Sequence, residues 1–134
     1  MQSRPVASVI GLLLVLMAGA PLGAHHYFAS TFDVARDVHL QGVVTRVEWS
    51  NPHMHFFLDV KADSGQAASW ACEAGGPNSM LRRGLRREDL GVGATVTVDG
   101  YASRDGSRSL VVRRMTLASG RVVSGALSGD PGAR

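Results

Sequence analysis

The chain has 134 residues, a formal net charge of +3 and a single cysteine. That length holds one domain. One cysteine excludes a disulfide-stapled scaffold, and so small a positive excess gives no ground for nucleic acid as a partner.

Gln2-Ser3-Arg4 is a short polar start, and Val6 to Ala20 then run without a charged residue. This is the length of the apolar region of a signal peptide and is short for a membrane span. Small residues follow, ending in Leu22-Gly23-Ala24. A cut after Ala24 places Ala directly before the scissile bond, whereas the neighbouring alternatives put Pro21 in an unfavourable position. The expectation is a signal peptide over residues 1–24 and a soluble exported chain, periplasmic or secreted, that begins at His25. No membrane span is expected in that mature chain.

Residues 25–38 have weak periodicity and read as an N-terminal arm. The next stretch, "HLQGVVTRVEW" from His39 to Trp49, sets Val43, Thr45, Val47 and Trp49 against Val44, Arg46 and Glu48, a half-buried strand pattern. Ser50-Asn51-Pro52 breaks it. In "HMHFFLDV" the residues Met54, Phe56, Leu58 and Val60 share one face; His53, His55, Phe57 and Asp59 share the other. Ala62 to Gly65 is a turn, and Gln66 to Ala74 is a third strand. After Gly75-Gly76-Pro77, Asn78 is the expected N-cap of a short helix over Ser79–Leu85. Met80, Leu81 and Leu85 are expected on its buried face, with Arg82, Arg83, Arg86 and Arg87 in water. Ala94–Tyr101 and Ser109–Leu117 complete five strands, and "RVV" adds a short edge. From Ser124 the composition turns to Gly, Ser, Ala and Pro, which reads as a disordered tail over residues 124–134. Three strands, a short helix and two strands are the element order of a small, mainly β, five-stranded OB-like barrel over residues 39–123, whose helix lies between strands three and four. A β-sandwich or roll is the alternative.

Four stretches carry a family resemblance: "AHHYFASTFD", "GVVTRVEWSNPHMHFFLDV", "WACEAGGPNSMLRRGL" and "VTVDGYASRDGS". Together they resemble DUF6152, a family of small exported bacterial proteins of unknown function. The His-His start and the Asn-Pro-His turn are the most specific parts. The sequence departs from the family pattern before strand four, where Gly93-Ala94 stands in place of Gly-Asp. The resemblance implies an exported β-rich domain and no particular activity.

All five histidines fall between positions 25 and 55. His53 and His55 are two apart on a strand and so project from one face, about 7 Å apart at the backbone. A cut after Ala24 gives His25 a free α-amine, which can chelate a metal together with its own imidazole. A third nitrogen from His53 or His55 would complete a T-shaped site suited to Cu(II), with His26 as a further ligand or supporting partner. The candidate metal residues are therefore His25, His26, His53 and His55, with copper as the expected cofactor. The same histidines would serve Zn(II) with an open position. Glu48 and Asp59 are the carboxylates nearest to them in sequence. Half-exposed histidines that bond only to backbone are the plainer reading of the same positions.

No phosphate loop, nucleophile elbow, CxxC or HExxH is present, so catalysis has no support beyond a redox metal. The leading expectation is a non-enzymatic exported binding protein. The alternatives are a metal-free module and a copper oxidoreductase of the histidine-brace type. The module would bind a glycan or a periplasmic protein through the barrel face, Phe57 and Trp70, and the Arg82–Arg87 surface.

Overall fold

A computed structural model describes residues 20–132 of the chain. The expected signal peptide lies for most of its length outside the described residues. Helix α1 (Ala20–Thr31) leads without a break into β1 (Phe32–Glu48), followed by β2 (Met54–Lys61) and β3 (Ala67–Ala74). A short helix α2 (Pro77–Arg82) and a 3-10 turn (Arg87–Leu90) precede β4 (Thr95–Ser103), β5 (Ser109–Thr116) and β6 (Val122–Ser124).

The strands close into a ring. β1 pairs antiparallel with β4 from Phe32 to Val43 and with β2 from Val43 to Glu48. β2 pairs with β3, β4 pairs with β5, and β3 lies parallel to β5 through Ala71, Cys72 and Glu73. This last pairing shuts the barrel and removes most of the open sheet edge. The OB-like barrel with its helix between β3 and β4 is thus the observed architecture, and β6 extends it as a sixth strand on β5. At Gly42 β1 passes from one neighbour to the other. A Cβ there would sit 2.8 Å from the Asp59 carbonyl oxygen, so only glycine permits the crossing.

The barrel interior is aliphatic and aromatic: Val44, Met54, Phe56, Leu58, Cys72, Val98, Leu110 and Met115 are fully buried. The face assignment of β2 is the expected one. On β1 it differs: Val43 is exposed, and Val44 is the buried residue. The register slips between Val44 and Arg46, and this bulge shifts the alternation so that Val47 and Trp49 turn back towards the core. Helix α2 also departs from expectation. Its N-cap is Gly76, with Pro77 in the first turn and no side-chain cap, and Leu81 faces solvent. Pro77 takes the first-turn position because its fixed φ suits it and its missing N–H is not needed there.

Both ends of the domain extend beyond their expected bounds. The arm expected over residues 25–38 is helix and strand. The tail expected to be disordered is packed as far as Asp130. Phe28, Phe32, Tyr101, Val111 and Leu127 form a second buried cluster that joins α1, the barrel wall and the C-terminal segment. Gly125 brackets that segment to the barrel through Gly75 N–H to its carbonyl and its own N–H to the Arg113 carbonyl, both at 3.0 Å. Small residues here allow close approach of backbone rather than disorder. Leu127→Ala is expected to cost roughly 2–5 kcal/mol in urea denaturation. A loss below about 0.5 kcal/mol would show that the segment does not pack on the barrel.

Candidate functional site

His53 immediately precedes β2 and His55 is its second residue, just after the loop Ser50–Pro52. Because β2 and β3 pair around the turn at Ala62–Gln66, His55 stands directly across from Glu73. Glu73 is only 7% exposed. Its carboxylate gathers three side chains. His53 Nδ1 is 2.6 Å from Oε1, and His55 Nε2 is 3.5 Å from Oε2. The Tyr27 hydroxyl donates to both oxygens, at 3.0 and 2.9 Å. A buried charge needs this kind of compensation, since an unpaired one is strongly destabilising.

Tyr27 reaches the site from α1. Its ring also lies against the His53 imidazole, with centroids 5.5 Å apart and planes tilted by 37°. Burial is the main reason its hydroxyl is pushed up to about 12, and the hydrogen bond and negative charge of Glu73 add to the rise. A carboxylate oxygen accepts, so in the short contact it is His53 Nδ1 that donates to Glu73, and Nε2 is the nitrogen left free of it. Over the histidines lies a cleft of about 470 Å³, walled by Gly23, Ala24, Tyr27, Asn51 and Pro52.

The four sequence-chosen histidines are not brought to one place. His53 and His55 share Glu73. His25 lines a different hollow, with Phe28, Arg104, Gly129 and Asp130. Helical geometry explains the division: His25, Phe28 and Ala29 follow one face of α1, and Gly23, Ala24 and Tyr27 another. His26 is exposed. Among the described residues no three His, Cys, Asp or Glu side chains form a metal-binding group. His39 pairs elsewhere, with Nδ1 2.6 Å from Asp99 Oδ1. The hydrogen bond from His39, against some burial and helped by Arg114, holds the Asp99 carboxyl below its usual range.

Glu73 is the candidate-site residue to which spacing in the sequence did not point, and neither Glu48 nor Asp59 takes its place. The turn at Ala62–Gly65 already implied it, because a hairpin folded there sets residue 55 opposite residue 73. Other surface expectations are also narrowed. Arg83 donates to the Ala126 carbonyl at 2.7 Å, so it braces the C-terminal segment and is not a free cation. Arg46 covers the Phe57 ring at 3.9 Å and Arg87 the Trp49 ring at 4.7 Å. Cys72 is buried, and burial pushes its thiol up to about 12, which makes it inert.

With this geometry in place, comparison with known proteins adds one firm result. The model of a family of unknown function, DUF6152, matches residues 13–112. The chain belongs to the DUF6152 family. No curated protein matches it. A solved structure of Rim1, a mitochondrial single-stranded DNA binding protein from S. cerevisiae, is similar over 61% of this chain and 93% of its own. Its identity is 18% and its TM-score 0.44, too low to say anything of function in this DUF6152 member. Among the described residues no helix is long and apolar enough to cross a membrane.

The Tyr27–Glu73 bond predicts an alkaline limb in stability. The unfolded tyrosine loses its proton near pH 10, whereas the folded one holds it to about 12. Stability that is fully present below pH 10 should therefore fall between pH 10 and 12. Tyr27→Phe should remove that limb in thermal melts. Glu73→Gln should move the Tyr27 absorbance titration back part of the way towards 10, with the share due to burial remaining. A Tyr27 that titrates near 10 in the native chain contradicts the bond.

Proposed function

We propose that this DUF6152 member is an exported, non-catalytic binding protein, cut after Ala24, and that the cleft over His53 and His55 is its binding site. The observation that carries the reading is the Glu73 carboxylate. It is buried, it orients two imidazoles through a 2.6 Å and a 3.5 Å contact, and it leaves His53 Nε2 turned away from itself. A carboxylate behind an imidazole is the usual support for a ligating histidine, because it fixes the tautomer and raises the basicity of the outer nitrogen. Removal of the leader also supports the reading, since Gly23 and Ala24 form part of the cleft wall and a cut after Ala24 takes them away.

Cu(II) is the ligand we propose for this pair, because imidazole nitrogen suits it. The remaining coordination positions would be filled by water or by a ligand the ion carries. The size of the cleft favours a second reading, in which a small organic molecule or a glycan end fills the space and the histidines donate or accept hydrogen bonds. A bare ion does not need about 470 Å³.

Titration of Cu(II) into protein purified from the periplasm separates the two. On the copper reading, His53→Ala and His55→Ala each weaken binding at least tenfold. Glu73→Gln, which touches no metal, weakens it by roughly 10–100-fold. Equal affinity in the wild type and the His53→Ala/His55→Ala double variant would falsify the copper reading. Retention of an organic ligand in native mass spectra, lost in the same variants, would establish the second.

A further inference from the structure

The fold contains a second buried carboxylate, and this one is only half satisfied. Asp130 is 7% exposed. Its Oδ1 accepts the Gly132 N–H at 2.8 Å. Its Oδ2 has no hydrogen-bond partner among the described residues. Leaving one oxygen of a buried carboxylate bare is costly, and a cation is the natural remedy. Arg113 and Arg114 border the same groove as Asp130, but among the described residues no guanidinium makes a salt bridge to it. Arg104 Nε donates to the Ala29 carbonyl at 2.9 Å, with Nη1 3.9 Å from Asp33, and Arg113 stands over the Tyr101 ring at 4.8 Å.

The expected cut point lies against Gly129, the residue before this carboxylate. A Cβ built on Gly129 would be 2.9 Å from the Ala24 carbonyl oxygen, 3.1 Å from its carbon and 3.2 Å from His25 Cα. Gly129 also has a φ of +99°. Glycine is therefore required twice over, and it holds the residue before Asp130 against the Ala24–His25 peptide bond. His25, Gly129 and Asp130 line one hollow, whose inner wall is Phe28 and Phe32.

We propose that Asp130 is the acceptor for the amino terminus that export creates. Water, delivered by the peptidase that removes the leader, hydrolyses the Ala24–His25 bond. Ala24 leaves with the carboxylate, and the new amine of His25 takes up a proton as an α-ammonium. In the uncut chain this nitrogen is a neutral amide. In the cut chain it is a cation on a freed end, at the hollow that His25 shares with Asp130 and Phe28. The resulting ion pair would lock α1 and the C-terminal segment together only after processing. This inference rests on the cut proposed above, and it assigns the amino terminus to Asp130 in place of a metal.

Lys61 is the only lysine in the sequence, so in a Lys61→Arg background the α-amine is the one group that mild acetylation modifies. Intact mass of exported protein first reads the amino terminus. A start other than His25 overturns the cut, and the ion pair with it. For protein that does start at His25, acetylation of the folded chain should lower the thermal midpoint by roughly 5 °C or more. Asp130→Asn should lower it similarly, and acetylating Asp130→Asn should add little. A His25 start with no effect of acetylation, or with losses that simply add, overturns the ion pair and leaves the cut standing. Because acetylation acts on protein already folded, the test survives even if Asp130→Asn folds poorly.

Discussion

The site depends on one carboxylate placed where carboxylates are rarely tolerated. Glu73 sits on the strand whose parallel pairing with β5 closes the barrel, and it is almost wholly buried. Partners from separate parts of the chain converge on it: Tyr27 from α1, His53 from the loop before β2 and His55 from β2. Each partner is thereby fixed in turn. The helix is tied to the barrel at Tyr27, the imidazoles are oriented, and His53 and His55 line a cleft. This arrangement follows from the need to satisfy a buried polar group, and the barrel supplies the rigid strands that hold the geometry.

The second core cluster plays a complementary part. Phe28, Phe32 and Leu127 bring the two ends of the domain together on the outside of the barrel. The same helix therefore serves two neighbours. One face carries Tyr27 to Glu73, and the other carries His25 and Phe28 towards Gly129 and Asp130. The amino-terminal half of α1 therefore touches both the cleft over the histidines and the C-terminal segment.

Much of the barrel was legible in the sequence. The alternation in "HMHFFLDV" gave the buried face of β2, and the turn residues placed the strands within a few positions. The rest escaped for identifiable reasons. Residues 33–37 are largely exposed, so that part of β1 has no alternation to read, although it belongs to a strand continuous with the barrel. The bulge near Thr45 inverted the phase of the next residues. The C-terminal segment has the composition of a flexible tail, but its small residues approach the barrel closely and Leu127 anchors them. Glu73 is not legible from spacing, because it is distant in sequence from the histidines and meets them only across the hairpin. The histidine pair on β2 was found from the period of a strand. His25 is not joined to that pair, because α1 runs unbroken from Ala20 to Thr31 and turns this residue to another face.

The most direct test is the protonation site of His53, read from two-bond proton–nitrogen couplings of the imidazole rings in labelled protein at a pH where the ring is neutral. A ring held by Glu73 carries its proton on Nδ1 and shows a bare Nε2, and Glu73→Gln releases it to the mixture found in free histidine. A His53 that carries its proton on Nε2 in the native chain, or that is unchanged by Glu73→Gln, would mean that the carboxylate does not hold the imidazole and that the cleft is not organised around it.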